Sequence, residues 1–298
     1  MDISIIIVSY NVREYIVSCI QSIYKHSKSN YSYEIIVVDN DSKDGTIESL
    51  DKNFPNIQLI KNRYNAGFSI GVNKGFKICK GKYILVLNPD TIFIEDTLDK
   101  FINAARNQKE LCALGPALID EHGVVQQSFW RNPSLVNTLL SIFHLDFLNY
   151  KKNYRKNNFE DISMVETISG AAFFLKRDIF MELNGLNEKL FWMEDIDFSI
   201  RLNKAGYKTY YFPSTKIIHF SGKSAEKNYK VAISNQLLSK VKFFRIHHSI
   251  ISANIILFSI LTVSLIKSII LFFMTPFSNI YRKKLDAYLF TIRLILNT

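Results

Sequence analysis

The chain has 298 residues, of which 48% are hydrophobic and 21% are charged, and its formal net charge is +10. This length suits one large domain with an appendage, or two modest domains, with enough apolar residues for a substantial core. The three cysteines lie far apart without a CxxC spacing, which argues against a zinc site or a disulfide framework and indicates a reducing compartment.

The positive charge is concentrated in the last part of the chain. Residues 240–298 contain eight basic residues and one acidic residue, a net charge of +7, which leaves +3 for the first 239 residues. A nucleic-acid-binding protein would carry such charge on its folded body or along a groove. We therefore expect no nucleic-acid partner, and we expect the basic tail to face anionic lipid, because it also holds the longest apolar run.

Short apolar runs alternate with helical patterns in the first half of the chain. Asn11, with Glu14 three residues later, has the form of a capping box that would begin the first helix. The sequence predicts strands at 3–8, 34–38, 57–60, 83–87 and 111–114, separated by helices after residue 11, after residue 46, at 67–80 and at 97–108.

This alternation predicts a parallel sheet that is covered by helices on both faces. In such a sheet, ligands bind at the carboxyl ends of the strands. Asp39, Asp41 and Asp90 each directly follow a predicted strand. Any one of them could be only a turn former or a helix cap, but three at the same edge favour a ligand-binding site.

The pattern is less regular beyond residue 115. A hairpin is predicted at 120–123, a polar loop at 149–158, and a helix at 194–205 that Gly206 closes. Further strands are predicted at 171–176, 209–212 and 216–220.

Asn88-Pro89-Asp90 places a carboxylate on a rigid turn, because Pro89 fixes its own backbone and restrains Asn88. Proteins hold magnesium with one or two carboxylates and the phosphates of the substrate. Asp90 is therefore the first candidate for a metal ligand. His219, at the end of a late strand, could be a second ligand or an ordinary buried histidine.

The densest acidic cluster is Glu194, Asp195 and Asp197, at the start of a predicted helix whose dipole favours ionised carboxylates. Asp195 and Asp197 lie about 200° apart around a helix, so they cannot both point into one pocket. Asp197 precedes Arg201 by four residues, the spacing of a surface ion pair, and Glu194 could be a first-turn charge. Asp195 remains as the candidate for a general base.

Gly67, Gly71 and Gly75 are spaced by four residues, which is neither a dinucleotide fingerprint nor a phosphate loop. Such glycines lie on one helix face and allow close packing against the sheet or a ligand. Packing is favoured for Gly75, whereas Gly67, which follows Asn65 in a loop, could also contact a ligand.

Together these motifs resemble the family 2 glycosyltransferases of GT-A fold, and especially their rhamnosyltransferase-like branch. The resemblance covers roughly residues 1–225 in the expected order. It is carried by 8–11, 37–46, 65–68, 87–90, 170–174, 191–197 and His219. It implies a Rossmann-like, mostly parallel sheet flanked by helices at 1–239. The charge and the apolar run of 240–298 predict a helical extension that associates with a membrane.

The resemblance also implies a role for each matching residue. Asp195 would be the base of an inverting transfer, and Asp90, assisted by His219, would hold Mg²⁺ or Mn²⁺ on the donor diphosphate. Asn88 departs from the family's common DxD motif, although an Asn-Pro-Asp version is similar to the rhamnosyltransferase branch. The nucleotide would contact Ser9, Tyr10, Asn11, Asp39, Asp41, Asn65 and Gly67. The sugar or the acceptor would contact Trp130, Arg131, Gly170, Ala171, Trp192 and Glu194.

The implied function is transfer of a sugar, such as rhamnose, from a nucleotide-diphosphate donor to a hydroxyl of a glycan or lipid-linked acceptor in cell-surface polysaccharide synthesis. Two alternatives are a sugar-phosphate nucleotidyltransferase and a non-catalytic scaffold of the same fold. The glycine-rich phosphate loop of the first is missing, and intact Asp39, Asp90 and Asp195 argue against the second.

The segment 250–275 is almost wholly apolar and is interrupted by Asn254 and Lys267. About twenty apolar residues can span a bilayer, but a central lysine costs about 2.5–3.5 kcal/mol. Basic residues flank both sides of the segment, which places both flanks in the cytoplasm. We therefore expect a re-entrant or interfacial helical hairpin on the cytoplasmic face of the membrane, with a soluble dimer interface as the alternative.

Overall fold

The computed structural model describes residues 1–27, 30–108, 112–148, 161–221 and 229–297. The polar loop predicted at 149–158 lies outside the described residues. The chain divides into two compact units. The first comprises Met1–Asn132, Tyr154–Glu188 and Glu194–Ser224, and the second comprises Pro133–Asn153, Lys189–Met193 and Ala225–Thr298. The expected domain boundary at 239/240 falls inside a helix of the second unit and stays a prediction.

The first unit is built on one large mixed sheet. Its strands are β1 Ile3–Ser9, β2 Tyr33–Asp39, β3 Gln58–Lys61, β4 Tyr83–Leu87, β5 Thr91–Phe93, β6 Ala113–Ile119, β8 Ser163–Val165, β10 Ala172–Lys176 and β11 Thr209–His219, in the order β3-β2-β1-β4-β10-β6-β11-β5 with β8 on β11. Strands β1 to β4 are parallel, as predicted, and β10 lies antiparallel between β4 and β6. Two short strands, β7 Phe129–Trp130 and β9 Thr167–Ile168, pair separately.

Helices cover both faces of this sheet, which confirms the α/β fold. They are α1 Arg13–His26, α2 Thr46–Asn53, α3 Phe68–Phe76, α4 Thr97–Asn107, α6 Arg177–Glu182 and α7 Glu194–Lys204. Every residue of β1 and β4 is buried, because strands covered on both sides are apolar throughout. One core lies on the face of α1 and α4, around Ile20 and Phe101, and the other lies on the face of α3 and α7, around Val72 and Phe198.

The predicted capping box at Asn11 is wrong. Helix α1 begins at Arg13, and the Arg13 backbone N–H donates to Asp44 Oδ2 at 3.0 Å. Asn11 has a positive φ of 55° and uses its side chain to accept from the Lys43 N–H at 2.7 Å. The loop after β2 therefore supplies the partners that a capping box would have supplied locally.

The structure corrects two predictions about the strands. The strands predicted at 209–212 and 216–220 are a single strand, β11, with a register shift between Phe212 and Lys216 that accommodates Pro213. The strand predicted at 111–114 extends to Ile119 as β6. The turn predicted at 120–123 is confirmed, because the Gly123 N–H donates to the Asp120 carbonyl at 3.0 Å.

The second unit is helical. It contains α5 Leu135–Ile142, a 3-10 turn Asp146–Leu148, α8 Tyr229–His247, α9 Ile250–Met274, a 3-10 turn Thr275–Phe277 and α10 Asn279–Leu296. Helix α9 packs against α5, α8 and α10. Among the described residues, the segment Ile250–Phe277 is the one helical stretch long and apolar enough to cross a membrane, judged by length and composition alone.

Helix α9 exposes its three phenylalanines, and four of its seven buried side chains are small. Its buried positions are Ala253, Ile256, Ser259, Ile260, Ser264, Ser268 and Leu271. Phe258, Phe272 and Phe273 are 71%, 64% and 70% exposed. A helix of a water-soluble protein shows the opposite pattern, whereas helices in lipid pack through small and hydroxyl-bearing residues.

The packing of α3 on the sheet gives a first prediction. An alanine Cβ at Gly75 would lie 2.6 Å from Ile6 Cγ2 of β1. Overpacking costs about 1–3 kcal/mol, more than the roughly 1 kcal/mol that alanine gains over glycine in a helix. We expect Gly75→Ala to lower the thermal unfolding midpoint of the full chain, and Lys77→Ala, at an exposed neighbouring position, to leave it unchanged. A raised midpoint for Gly75→Ala would contradict this packing.

Candidate functional site

Five strands meet at one edge of the sheet, and four of them bring polar residues to it. Ser9 ends β1 and pairs in register with Asp39, which ends β2, and Asp90 follows the end of β4. Strand β10 begins at this edge because it is antiparallel, with Ala172 opposite Leu87 of β4. Strand β11 ends there at His219. The ends of β2 and β4 flank β1, so they lie about 10 Å apart.

Asp39 forms the floor of the first part of the site. Its carboxylate is fully buried and accepts from the Ser42 N–H at 2.8 Å and from Ser42 Oγ at 2.6 Å. Burial raises the pKa of Asp39, and the bonds from Ser42 oppose that shift. Ser9 Oγ, on the neighbouring strand, is buried and has no hydrogen-bond partner among the described residues. A polar ligand could satisfy this hydroxyl.

The loops after β1 and β2 are locked together beside Asp39. The Asn11 N–H donates to Ser42 Oγ at 2.9 Å, in addition to the bond between the Asn11 side chain and Lys43. Asp41 pairs with Lys43 at 2.5 Å near the surface, and such exposed pairs contribute little stability. Tyr10 is partly exposed between them. Asp41 thus lies on the rim, whereas Asp39 lies inside.

The loop at 65–67 reaches the same edge. Asn65 Oδ1 accepts from the Gly67 N–H at 3.0 Å, and Gly67 has a φ of 86° that favours glycine. The Gly67 carbonyl accepts from Asn40 Nδ2 at 3.2 Å, and Asn40 Oδ1 accepts from Asn62 at 2.7 Å. Sequence reasoning missed Asn40, although its place directly after Asp39 was a signal.

Asp90 and His219 form the second part of the site. Pairing of β5 with β11 places His219 opposite Thr91, and His219 Nε2 lies 3.5 Å from Asp90 Oδ1. This nitrogen is buried and makes no hydrogen bond within the described residues. On the other side of the ring, Nδ1 lies 3.3 Å from Gln126 Oε1, and Gln126 Nε2 donates to the His219 carbonyl at 2.8 Å.

These contacts fit a divalent metal with an incomplete protein shell. No group of three or more His, Cys, Asp or Glu side chains suited to a metal occurs in the described part of the chain. Asp90 and His219 would supply two ligands, and phosphate oxygens and waters would supply the rest. Gln126 would fix the ring orientation and the tautomer that leaves Nε2 available. Sequence reasoning missed Gln126, because only the folded sheet brings it to His219.

Asp195 stands at the start of α7 beside the first residues of β10. Its Oδ2 accepts from the Gly170 N–H at 2.9 Å and its Oδ1 from the Ile196 N–H at 2.8 Å. An added Cβ at Gly170 would lie 3.4 Å from Asp195 Cβ, so glycine permits this close approach. The Asn88 N–H donates to the Ala171 carbonyl at 2.9 Å, which ties this loop to the turn that carries Asp90.

Burial raises the pKa of Asp195, and its hydrogen bonds from backbone N–H groups oppose the shift. The carboxylate borders a small cavity that is otherwise lined by apolar side chains and a glycine. The cavity is lined by Phe68, Val86, Gly170, Phe173, Phe180, Leu186, Asp195 and Phe198.

The other two acids of the cluster, Asp197 and Glu194, have different surroundings from Asp195. Asp197 is fully buried, and Arg201 holds it with a bond of 2.8 Å. Arg201 also donates to the carbonyls of Leu183 and Gly185, so the expected surface pair is a structural ion pair with a buried acid. Burial, followed by the charge of Asp195, raises the pKa of Glu194 well above its usual value.

The weaker sugar or acceptor candidates divide between the units. Trp130, in β7, lies beside β9, because Thr167 Oγ1 donates to the Trp130 carbonyl at 2.9 Å. Strand β9 leads directly into the segment of Gly170 and Ala171. Arg131 follows at an exposed position. Trp192 belongs to the second unit, where its N–H donates to Ser239 Oγ at 3.3 Å.

Comparison with known proteins identifies the family. The model of Glycosyl transferase family 2 matches residues 4–183, more than half of the chain. The N-acetylglucosaminyl-diphospho-decaprenol L-rhamnosyltransferase of Mycobacterium tuberculosis is 27% identical over 212 residues, which cover 65% of this chain and 68% of that protein. Rhamnosyltransferase WbbL of Escherichia coli is 24% identical over 225 residues, which cover 73% of this chain and 83% of that protein.

Solved structures share the GT-A fold. The mannosyltransferase PcManGT of Pyrobaculum calidifontis, in complex with GDP-Man and Mn²⁺, aligns with a TM-score of 0.56 and 14% identity over 98% of this chain and 86% of that chain. GalNAc-T7 with UDP, GalNAc and Mn²⁺ aligns with a TM-score of 0.59 and 16% identity over 82% of this chain and 50% of that chain. The chain therefore belongs to glycosyl transferase family 2, and it is a glycosyltransferase.

Proposed function

We propose that the protein transfers a sugar from a nucleotide-diphosphate donor to a hydroxyl of a lipid-linked glycan, in one step with inversion at the sugar carbon. The observation that carries this proposal is the connection between the two halves of the site. Gly170 orients Asp195, and the adjacent Ala171 is bonded to Asn88 on the turn of Asp90. A base and a diphosphate site are thereby held by one short stretch of backbone.

The donor nucleotide would occupy the pocket at the ends of β1 and β2. Asp39 is buried and fixed there, and the hydroxyl of Ser9 is available for a ligand. The Asn11 and Gly67 loops border the same edge through their bonds to Ser42 and Asn40. A carboxylate in a preformed, partly apolar pocket is suited to accept hydrogen bonds from a nucleobase or a ribose.

Asp90 and His219 would hold a divalent cation on the donor diphosphate. When bound, this cation neutralises charge that develops on the leaving diphosphate. Mn²⁺ accompanies the nucleotide or donor sugar in the structures of PcManGT and GalNAc-T7, which supports Mn²⁺ or Mg²⁺ here. Gln126 keeps the His219 ring in place without contacting the donor.

Asp195 would take the proton of the acceptor hydroxyl as its oxygen attacks the sugar carbon. The bond from Gly170 fixes the carboxylate, and the apolar cavity behind it raises its pKa and so makes it a stronger base. Trp130 and Ala171 lie on the segments next to this carboxylate and would border the sugar or the acceptor.

Two relatives carry names that suggest the substrates. One is an L-rhamnosyltransferase acting on N-acetylglucosaminyl-diphospho-decaprenol, and the other is a rhamnosyltransferase. They support a rhamnose donor and an acceptor on a polyprenyl diphosphate. The family match favours this function over the nucleotidyltransferase alternative.

The helical unit would associate with the cytoplasmic face of the membrane without crossing it as a whole. The exposed face of α9 carries large apolar side chains, and its covered face packs on α8 and α10. Both partner helices carry several basic residues, including Lys242, Arg245, Arg282 and Lys283. Placing these charged side chains within the hydrocarbon of a bilayer costs free energy. A position at the membrane interface therefore suits α8, α9 and α10 together.

Asp195→Asn tests the base. We expect the variant to lose transfer by about 10²–10⁴-fold while it binds the nucleotide normally, because the amide oxygen can still accept from Gly170. Its thermal stability should be equal or higher, because an ionised carboxylate with a raised pKa costs stability at neutral pH. The assay is a nucleotide-sugar panel that includes dTDP-rhamnose, with a lipid-linked acceptor.

Asp197→Asn is the matched control, two residues further along the same helix. It should lower the unfolding midpoint, because it leaves Arg201 without its buried carboxylate, and it should retain turnover per folded molecule. Full activity of Asp195→Asn would show that another group accepts the proton.

The metal assignment makes a separate prediction. A chelator should abolish transfer, and Mn²⁺ or Mg²⁺ should restore it. Gln126→Leu should raise the metal concentration needed for half-maximal activity by about 10–100-fold, because the His219 ring loses its support, with little change at saturating metal. His122→Gln, at an exposed position, should change neither. Transfer that is insensitive to the chelator would exclude a metal-dependent mechanism.

The raised pKa of Asp195 predicts the pH dependence of transfer. The base acts only when ionised, so kcat should fall as the pH decreases through the pKa of the folded protein, which lies above the usual value of 3.8. Glu194 also has a raised pKa, so Glu194→Gln separates the two groups. The acid limb should persist in Glu194→Gln, and its disappearance would assign the titration to Glu194 instead.

A further inference from the structure

A second polar cluster lies within the helical unit, and the transfer chemistry does not use it. Lys267 of α9 donates from Nζ to the Tyr288 hydroxyl of α10 at 2.9 Å and contacts His144 Nε2. The same Nζ lies 4.9 Å from the centre of the Tyr288 ring. His144 follows α5 and has a positive φ of 57°. Three separate segments of the chain therefore converge on one ammonium group.

Among the described residues, no carboxylate forms an ion pair with Lys267. The contacts of Lys267 within the described residues are to a phenol and an imidazole, both neutral groups. The pKa of His144 is lowered, first by partial burial and then by the positive charges of Lys267 and of Lys240 on α8. Lys240 therefore adds to the positive potential at the cluster. The same short segment also carries an acid, Asp146, two residues after His144. Asp146 takes part in an interaction with another group. An ammonium away from bulk water is stabilised most by an anion.

The surroundings of Lys267 are apolar. Its neighbours on α9, Ile266 and Ile270, are 50% and 53% exposed, and Leu265 and Ile269 are exposed as well. A cation within a band of exposed apolar side chains is typical of the level at which lipid phosphates meet acyl chains. On a surface that faces water, exposed apolar side chains do not usually surround a lysine in this way.

We propose that Lys267, Tyr288 and His144 form a binding site for the phosphate group of a membrane lipid, either a phosphomonoester or a diphosphate. The Lys267 ammonium and the Tyr288 hydroxyl would donate to phosphate oxygens. His144 would accept a proton when Lys267 turns from the imidazole to the phosphate. Lys240 would add long-range attraction. The site rests on the membrane association that is part of the proposed function.

Histidine NMR on the full chain in lipid nanodiscs tests this site. The chain has six histidines, and the signal that disappears in His144→Gln identifies His144. In phosphatidylcholine discs the pKa of His144 should lie below its usual value of 6.5. Phosphatidate in the discs should raise it towards or above that value, because a bound phosphate favours the imidazolium.

Two variants and one control separate a site from general surface charge. Lys267→Met should weaken binding to phosphatidate discs by about tenfold and remove the shift of His144, and Tyr288→Phe should reduce both. Lys283→Met removes the same charge at an exposed position outside the cluster and should leave the shift intact. An equal effect of Lys283→Met, or an equal response to phosphatidylserine discs of the same charge, would overturn the proposal.

An experiment with a water-soluble phosphate compound tests whether the bound phosphate belongs to a lipid. Pyrophosphate added to the detergent-solubilised protein should give a smaller shift of His144 than phosphatidate discs give. A shift with pyrophosphate but none with phosphatidate would overturn the assignment to lipid. Nucleotide binding measured on the same samples reports on the donor pocket, so a failure of this site and a failure of the proposed transferase function are distinguishable.

Discussion

The direction of one strand determines most of the candidate site. Strand β10 runs antiparallel to β4, so its first residues lie at the edge where β1, β2 and β4 end. The backbone of Gly170 and Ala171 can therefore bond to Asp195 on one side and to Asn88 on the other. Had β10 been parallel, these residues would lie at the opposite edge, and Asp195 would lose the hydrogen bond from the Gly170 N–H. A wholly parallel sheet would separate the turn that carries Asp90 from Asp195.

Burial has opposite consequences for neighbouring acids of the site. Asp197 is the most buried of its cluster, yet Arg201 compensates its charge and uses its remaining donors on two carbonyls. Asp195 is bound by N–H groups but faces no cation within hydrogen-bonding distance among the described residues, so burial raises its pKa. A compensated acid stabilises the fold, whereas an uncompensated acid is a better proton acceptor. The same contrast separates Asp39, inside the pocket, from Asp41, which pairs with Lys43 on the rim.

The sequence allowed prediction of the features that depend on local pattern. Apolar runs located β1, β2 and β4, and the rule that ligands bind at strand ends singled out Asp39 and Asp90. Features set by distant pairing were missed. Asn11 resembles a cap, but the 42–44 loop offers it stronger partners about thirty residues away. Two strands were predicted at 209–212 and 216–220, whereas a bulge joins them into the single strand β11. Gln126 meets His219 only because β11 pairs with β6 and β5, and no local signal marks that contact.

The hydropathy of helix α9 alone does not determine whether the helix lies in a protein core, across a membrane or at its interface. An apolar helix of 25 residues could be a core helix, a membrane span or an interfacial helix, and all three have the same composition. The distribution of burial distinguishes them. In a core helix the bulkiest side chains would be covered, whereas in α9 three serines, an alanine and three aliphatic residues are covered and the phenylalanines are exposed. A lone span would leave Lys267 in hydrocarbon, yet here a phenol and an imidazole from other segments contact it. Helices that carry basic residues cover one side of α9, so the proposed contact with lipid would involve the other side.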